Sequence, residues 1–333
     1  MNTKQLDIDR KKVIKNAWRI TNDRKRTCLR IRVPGGHLDT KYLPLIQTIA
    51  EKYGNGTVHL TTRQGFEIPG ILWESIDEIN TMLKPIIDSL RLKINCDNPA
   101  SGYPAAGTRN IAACIGNRVC PFANSDTTAL ACKIEQEVYP HDFHFKIAIT
   151  GCPNDCIKAH LHDFGIICTT IPQYNPDRCI SCNACVDTCR KKVTEALSVE
   201  QYNIVRNEKK CIGCGECVKV CPTRAWTRSN RTYFRLLIMG RTGRKNPRLA
   251  APFLKWATED VVIGIIKNTY KFVNNYIDRT LPKEHIGYIV DRMGFEIFCS
   301  EALEGITLNP EAKMASKMEW HGYKYTDDQC LFG

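Results

Sequence analysis

Apolar and polar residues alternate over positions 27–33 (Thr-Cys-Leu-Arg-Ile-Arg-Val), which predicts a half-buried strand halted by Pro34-Gly35-Gly36. Between positions 40 and 53 the apolar residues recur at helical spacing, and Gly54-Asn55-Gly56 ends the run. Short strands follow at 58–62 and 66–68, then a second helix over 75–90 that carries Pro85 within it. This strand–helix–strand–strand–helix order predicts a compact α+β unit over about 20–90. Beyond position 100 the pattern predicts a helix over 125–139, a buried strand over 143–150 delivering a Gly151-Cys152 turn, and a strand over 164–170. Pro172 and Pro176 lead into a cysteine-dense stretch, from which the chain returns near Trp226. A strand over 233–239, a basic loop and two helices, about 258–280 and 283–304, complete the pattern.

Composition narrows the class. The 333 residues suggest about two domains, and 43% hydrophobic with 25% charged residues excludes a disordered or collagen-like chain. No apolar run reaches the roughly 18 residues of a membrane-spanning helix, and the N-terminal stretch lacks the apolar segment of a signal peptide. A cytoplasmic protein is expected. In that reducing compartment metal binding, rather than a disulfide framework, is the natural use of 18 cysteines. Six of them (Cys28, Cys96, Cys132, Cys168, Cys299, Cys330) stand apart and read as inert small hydrophobes.

Eight others form two runs of one spacing. Cys179, Cys182, Cys185 and Cys189 make Cys-x2-Cys-x2-Cys-x3-Cys; Cys211, Cys214, Cys217 and Cys221 repeat it, with Pro222 after the second run and Arg190 after the first. Two-residue gaps set three thiolates on one tight loop, and the fourth ligates the other cluster. The expected ligand sets are Cys179, Cys182, Cys185 and Cys221 for one [4Fe–4S] cluster, and Cys211, Cys214, Cys217 and Cys189 for another. Gly213 and Gly215 would let the backbone approach closely and offer N–H groups to the sulfurs. A pair of zinc ribbons, the alternative, uses two separated knuckles and leaves the further cysteines unexplained. Over about 171–224 the segment resembles a bacterial two-cluster ferredoxin, an electron conduit that needs a consumer elsewhere in the chain.

Two wider pairs, Cys114-x5-Cys120 and Cys152-x3-Cys156, imply a third all-thiolate site built from separate loops, iron–sulfur in preference to zinc. Cys-x5-Cys followed by Gly151-Cys152-Pro153-Asn154-x-Cys156 resembles the signature of the sulfite and nitrite reductases that couple a [4Fe–4S] cluster to sirohaem. LRIRVPGG at 29–36, LTTRQGFEI at 60–68 and YFRLLIMGRTGRKNPRLA at 233–250 are similar to other parts of that family. A ferredoxin inserted after the Cys-x3-Cys loop is similar to the family's anaerobic bacterial enzymes.

The resemblance implies an α+β fold with a sulfite/nitrite reductase-like core. Its parts would be a ferredoxin-like N-terminal half domain at 1–95, a sirohaem/[4Fe–4S] domain split between 96–170 and 225–333, and an inserted two-cluster ferredoxin domain at 171–224. It implies sirohaem and three [4Fe–4S] clusters, the third held by Cys114, Cys120, Cys152 and Cys156, with Cys156 bridging to the sirohaem iron. Arg32, Arg109, His144 and Lys146 become the substrate and proton-donor set, with Arg30 and Arg63 nearer the macrocycle. Gly240, Arg241, Gly243, Arg244, Lys245 and Arg248 become a cradle for the macrocycle's carboxylates. The family's Lys-x-Lys pair reads His144-Phe145-Lys146 here, and its core is present once instead of twice. A single copy implies a two-fold dimer, or pairing with a homologous partner.

The implied activity is six-electron reduction of sulfite to sulfide. No glycine-rich dinucleotide fingerprint opens a helix, so flavin, NAD(P)H and ferredoxin-like functions fall to electron-donating partner subunits. Nitrite reduction on the same cofactor, and a non-catalytic three-cluster electron-transfer role, stay open as alternatives. The charge of +12 (47 Lys+Arg against 35 Asp+Glu) matches no nucleic-acid motif, and no nucleic-acid partner is expected. His160 and His162, just past the Cys152–Cys156 loop, are candidates to support it.

Overall fold

The computed structural model describes residues 18–21, 25–90, 109–139, 143–243, 247–281, 284–316 and 318–319. The described residues divide into two compact units, one drawn from 1–112, 128–146 and 277–285, the other from 113–127, 147–276 and 286–333.

In the first unit, β1 (Trp18–Ile20), β2 (Thr27–Ile31), β3 (His59–Leu60) and β4 (Phe66–Ile71) make an antiparallel sheet in the order β1-β2-β4-β3. Leu29 and Ile31 are buried against α1 (Leu43–Lys52), α2 (Ile76–Met82) and α3 (Lys84–Ser89), in a core with Ile46, Ile49, Ile68, Ile79 and Ile86. Each buried aliphatic side chain of this size stabilises the fold by about 1.5–3 kcal/mol. The two-residue period then sends Arg30 and Arg32 to the opposite face. Arg30 stands opposite Glu67 in the ladder, and its Nε donates to Glu67 Oε1 at 3.1 Å.

The helix expected over 75–90 is two helices that meet at Leu83. Pro85 has no N–H to bond back, and it sits in the first turn of α3, where none is needed. β1 lies outside the expected elements because three residues are too few to show a period. The core holds it instead, with Trp18 Nε1 donating to Asn80 Oδ1 at 3.3 Å.

Two contacts fix the polar side of this unit. Asn110 Nδ2 donates to Val33 O at 2.9 Å and to Arg63 O at 2.5 Å, while its Oδ1 accepts from Val33 N at 3.1 Å. It thereby ties the end of β2 to the loop before β4. Arg32 is buried, with its Nε donating to Glu135 Oε1 at 2.8 Å and its Nη2 donating to the same oxygen. Glu135 lies on α4 (Thr127–Val138), and the Tyr139 ring centre lies 5.2 Å from the guanidinium carbon. Burial pushes the Glu135 carboxyl up, against the pull of Arg32.

The second unit is built on a sheet whose first strands are β5 (Ala112–Ala113), β6 (Ile147–Thr150) and β7 (Phe164–Thr169). β6 starts later than the predicted strand, and it runs parallel to β7. Parallel neighbours need a crossover, and here the crossover is residues 151–163, the loop carrying Cys152 and Cys156. The chain then makes a small cysteine-rich substructure. It comprises β8 (Gln173–Tyr174), α5 (Ala184–Lys192), the hairpin β9 (Leu197–Glu200) and β10 (Asn203–Arg206), α6 (Glu216–Val220), and β11 (Trp226–Thr227), which pairs with β8.

On return, β12 (Tyr233–Ile238), β13 (Ala251–Ala257) and β14 (Lys313–Met314) complete the sheet in the order β14-β13-β12-β7-β6-β5. No element was expected over β13. Its register against β12 shifts twice, so its apolar residues lack a clean period. α7 (Glu259–Tyr276) buries Val262, Ile265, Ile266 and Phe272, with the Phe272 and Phe298 ring centres 5.3 Å apart. The helix expected over 283–304 is again two, α8 (Ile286–Met293) and α9 (Phe295–Ala302), separated by Gly294 at φ 101°. Among the described residues no helix is long and apolar enough to cross a membrane.

Glu135→Ala would leave a buried guanidinium without its counter-charge. The expected loss is about 3–5 kcal/mol of unfolding free energy, read from urea denaturation of the folded protein. An unchanged midpoint would show that the pair does not hold this unit together.

Candidate functional site

The third cysteine group is assembled by the β5–β6 edge and the crossover. Cys114 N–H donates to Ile149 O of β6 at 3.0 Å, and Gly151 N–H, at the end of β6, donates to Cys114 Sγ at 3.0 Å. A Cβ at Gly151 would stand 2.6 Å from that of Ala123, so a side chain there would drive the two loops apart. Burial pushes the Cys152 thiol up, the Asn154 N–H opposes this, and the Cys120, Cys156 and Cys114 thiols push it further. Cys120, Cys156 and Cys114 thus lie within electrostatic reach of Cys152, although among the described residues no three such side chains converge as a metal site does. Cys156 is the exposed one.

Asp155, buried and left-handed at φ 47°, braces the loop from the inside. It accepts from Ala159 N at 2.6 Å and His160 N at 3.3 Å, and its Oδ2 lies 2.6 Å from His160 Nδ1. His160 therefore supports the loop through Asp155, a link its position in the sequence did not reveal. His162 Nδ1 lies 3.0 Å from Lys158 O. Cys168, wholly buried on β7 near Cys114 and Cys152, has its thiol raised strongly by burial, which keeps it protonated.

The two four-cysteine runs fold into one substructure. Burial raises the Cys214 thiol to about 11, the Glu216 N–H opposes it, and the Cys211 and Cys189 thiols add to the rise. Cys217 is raised by burial and by Cys214, Cys211 and Cys185. Cys189, Cys211, Cys214 and Cys217 line one pocket with Pro172 and Leu197. On the other side, burial raises the Cys185 thiol, the backbone N–H groups of Val186 and Cys185 oppose it, and Cys221 pushes it up. Cys221 itself is held below the ordinary thiol value: burial raises it, but the N–H groups of Trp226, Ala225 and Thr223 and the Thr223 hydroxyl outweigh that. The Tyr174 ring lies 4.8 Å from that of Trp226. Further N–H donors reach sulfur from Ser181 to Cys179 at 3.4 Å and from Ala196 to Cys189 at 3.2 Å.

The donor chemistry fits an iron–sulfur occupant. All the described cysteines are free thiols. A buried group of thiols that raise one another is unfavourable as anions alone, and cationic iron removes that penalty by deprotonating and neutralising them. N–H groups aimed at the sulfurs are the usual means of tuning such a centre.

The basic residues form a separate feature in the first unit. Arg19, Arg30, Arg32, His59, Arg63 and Arg109 line a cavity of about 290 Å³. The four predicted arginines (Arg30, Arg32, Arg63, Arg109) are thus brought together, and Asn110, missed in the sequence, helps to align them. Its only signal was adjacency to Arg109. Arg109 Nη2 lies 2.9 Å from His144 Nδ1; a guanidinium only donates, so Nδ1 is the acceptor and Nε2 carries the proton. His144 stacks on buried His285, ring centres 6.0 Å apart, from a segment no sequence motif pointed to. Lys146, half-buried, lies just before β6.

Two arginines of the predicted carboxylate cradle have an acid partner within the chain. Arg241 Nη1 and Arg248 Nη1 both grip Asp291 of α8, at 2.8 and 2.7 Å. Arg248 is buried, and its other N–H groups donate to Met239 O at 3.2 Å and Gly287 O at 3.1 Å. A Cβ at Gly240 would collide with His162 O. Gly243 is exposed, and Arg244 and Lys245 lie outside the described residues.

Comparison with known proteins agrees with this arrangement. Residues 20–86 match the nitrite/sulfite reductase ferredoxin-like half domain, and residues 105–307 match the nitrite and sulphite reductase 4Fe-4S domain. A subunit of the anaerobic sulfite reductase of Salmonella typhimurium is 42% identical over 95% of each chain. The coenzyme F420-dependent sulfite reductase of Methanocaldococcus jannaschii is 30% identical over 83% of this chain and 42% of its own. The crystal structure of dissimilatory sulfite reductase I shares the fold, with a TM-score of 0.65 at 17% identity over 92% of this chain and 75% of that one. Since the matched domains span both the arginine-lined sheet and the loops that gather Cys114, Cys120, Cys152 and Cys156, the chain belongs to the nitrite and sulphite reductase family.

Proposed function

We propose that this chain reduces sulfite to sulfide on a sirohaem coupled to a [4Fe–4S] cluster, fed by two further clusters in an inserted ferredoxin domain at 171–224. What supports the reading is the 42% identity to a subunit of an anaerobic sulfite reductase over 95% of each chain, together with two cysteine runs of ferredoxin spacing and the Cys114–Cys120 and Cys152–Cys156 pairs in the matched 4Fe-4S domain. Cys114, Cys120, Cys152 and Cys156 would hold the coupled cluster, with exposed Cys156 offered to the sirohaem iron. Cys179, Cys182, Cys185 and Cys221 would hold one further cluster, and Cys189, Cys211, Cys214 and Cys217 the other. Bound there, the clusters would pass electrons singly and the sirohaem would hold the substrate's sulfur.

The chain's own residues supply cations and protons. Sulfite is a small dianion that accepts six electrons and loses its oxygens as water, so donors must hold and protonate those oxygens. Arg30, Arg63 and Arg109 present guanidinium N–H groups to the cavity. Arg32, with its charge matched by Glu135, sets the shape of that wall. The Arg109 guanidinium at His144 Nδ1 orients the ring and leaves Nε2 to serve a substrate oxygen. Lys146 is the second donor. A flavin- or NAD(P)H-bearing partner, with ferredoxin-like subunits, supplies the electrons. One core per chain supports a dimer or pairing with a homologous partner. Crowded free thiols that need a reducing compartment suit a cytoplasmic enzyme.

The direct test is the absorption spectrum of protein matured with a full cofactor supply, with iron and sulfide content. Sharp Soret-type and red bands are expected, and a lone broad iron–sulfur shoulder would sink the assignment. Cys156→Ser should lose sirohaem and activity with every donor, dyes included, while the clusters of 171–224 keep their spectra.

Cys211→Ser should lower activity with the protein donor far more than with a small, strongly reducing dye. Equal losses with both would make the insert structural instead of conducting. His144→Ala should lower kcat by roughly 100-fold or more, with His144→Lys recovering part of it and moving the pH profile upward. A kcat within twofold of wild type for His144→Ala would move the proton to another residue.

A further inference from the structure

The two cysteine runs share one backbone, and they differ in what covers it. Each begins Cys-Ile-x-Cys, and the residues on either side of its second cysteine are left-handed: Ser181 at φ 56° and Asn183 at 59° in the first run, Gly213 at 72° and Gly215 at 78° in the second. Serine and asparagine therefore serve this turn, so φ alone does not explain the two glycines. Surroundings do. In the first run Ile180, Ser181, Cys182 and Asn183 are all exposed, Ile180 at 64%. In the second, Cys211, Gly213, Gly215 and Cys217 are buried.

What buries the second loop is the reductase fold. A Cβ at Gly213 would stand 2.5 Å from the Trp256 ring and 2.8 Å from Thr170 O, and Thr170 N–H donates to Gly213 O at 3.0 Å. A Cβ at Gly215 would stand 3.2 Å from Asn124 Oδ1. Asn124, four residues past Cys120, is a junction. Its N–H donates to Gly151 O at 2.7 Å beside Cys152, its Nδ2 to Cys168 O at 3.3 Å, and its Oδ1 accepts from Arg228 Nε at 3.0 Å. One residue thus touches the Cys120 loop, the Cys152 turn and the strand returning from the insert, with the Cys211 loop resting on it.

We propose that electrons leave the insert from the Cys211 side and are received at the exposed Cys179 side, and that Asn124 is the positioning residue of the crossing. This rests on the two-cluster reading of 171–224. The step is one electron lost by the centre on the Cys211 side and gained by the centre on the Cys114 side, with no bond made or broken. Asn124 and the two glycines keep the loops in contact while it crosses.

The test uses the full-length holoprotein and electron paramagnetic resonance. Iron content and spectra first establish two clusters in the insert; their absence would remove the functional reading itself and this inference with it. In Cys179→Ser, the insert's remaining reduced cluster should keep the magnetic interaction with the Cys114-side centre, whereas in Cys211→Ser the remaining signal should lose it. The reverse pattern overturns the direction. Asn124→Ala should slow reoxidation of the insert by sulfite roughly tenfold in freeze-quench traces, equivalent to 1.36 kcal/mol of barrier, with midpoint potentials unchanged. Asn124→Asp, which keeps the acceptor for Arg228, should recover most of the rate. Should Asn124→Ala fail to fold, Gly215→Ala makes the same measurement by pressing the loop off Asn124. Unchanged reoxidation in either folded variant, or a loss that follows a shifted potential, refutes the role.

Discussion

Ionising crowded thiols inside a protein is costly, and this chain gathers such thiols repeatedly. Around Cys152, Cys185, Cys214 and Cys217, burial and neighbouring thiols all push the same way, against ionisation. As thiolates, such groups would be stable only with a cationic core to take their protons and their charge. Much else follows from that requirement. It accounts for the left-handed turns that aim backbone N–H groups at sulfur, and for the Asp155–His160 brace beside Cys156. It also accounts for a parallel β6–β7 pair whose crossover is the cysteine loop itself.

A second regularity concerns cations. Arg30 bonds to Glu67, Arg32 to Glu135, and both Arg241 and Arg248 to Asp291. An arginine presents several N–H groups in a fixed fork, so a carboxylate that takes one edge orients the rest. Burial grades the consequence. The Arg32–Glu135 pair is sealed from water and acts chiefly on stability and shape, whereas Arg30, partly exposed with Glu67 on one edge, keeps its other edge toward the cavity. The protein's own acids thus decide which arginines are scaffold and which are available to an anion.

Much of this was legible in the residues. The strand at 27–33, the helix ending at Gly54 and the helix at 127–138 follow from local periodicity, which burial on one face imposes. The two cysteine runs were equally plain, because a tight loop around a cluster demands short fixed spacing. The misreadings have local causes too: Pro85 and Gly294 break patterns that apolar spacing alone continues, and the bulged β13 has no period to read.

Other features were set by distance in the chain. Nothing near Arg32 announces Glu135, nothing near His144 announces His285, and Asn124 looks like any loop asparagine until Gly151, Cys168 and Arg228 meet it. Local spacing carries information about groups that must share a turn, since the backbone itself enforces their separation. It carries none about groups joined by packing, because those depend on where strands and helices come to rest. By itself, then, the sequence determined much of the element order and the family. Only the tertiary structure decided which thiols are neighbours across loops, which arginines are already matched by acids, and which cysteine loop faces water.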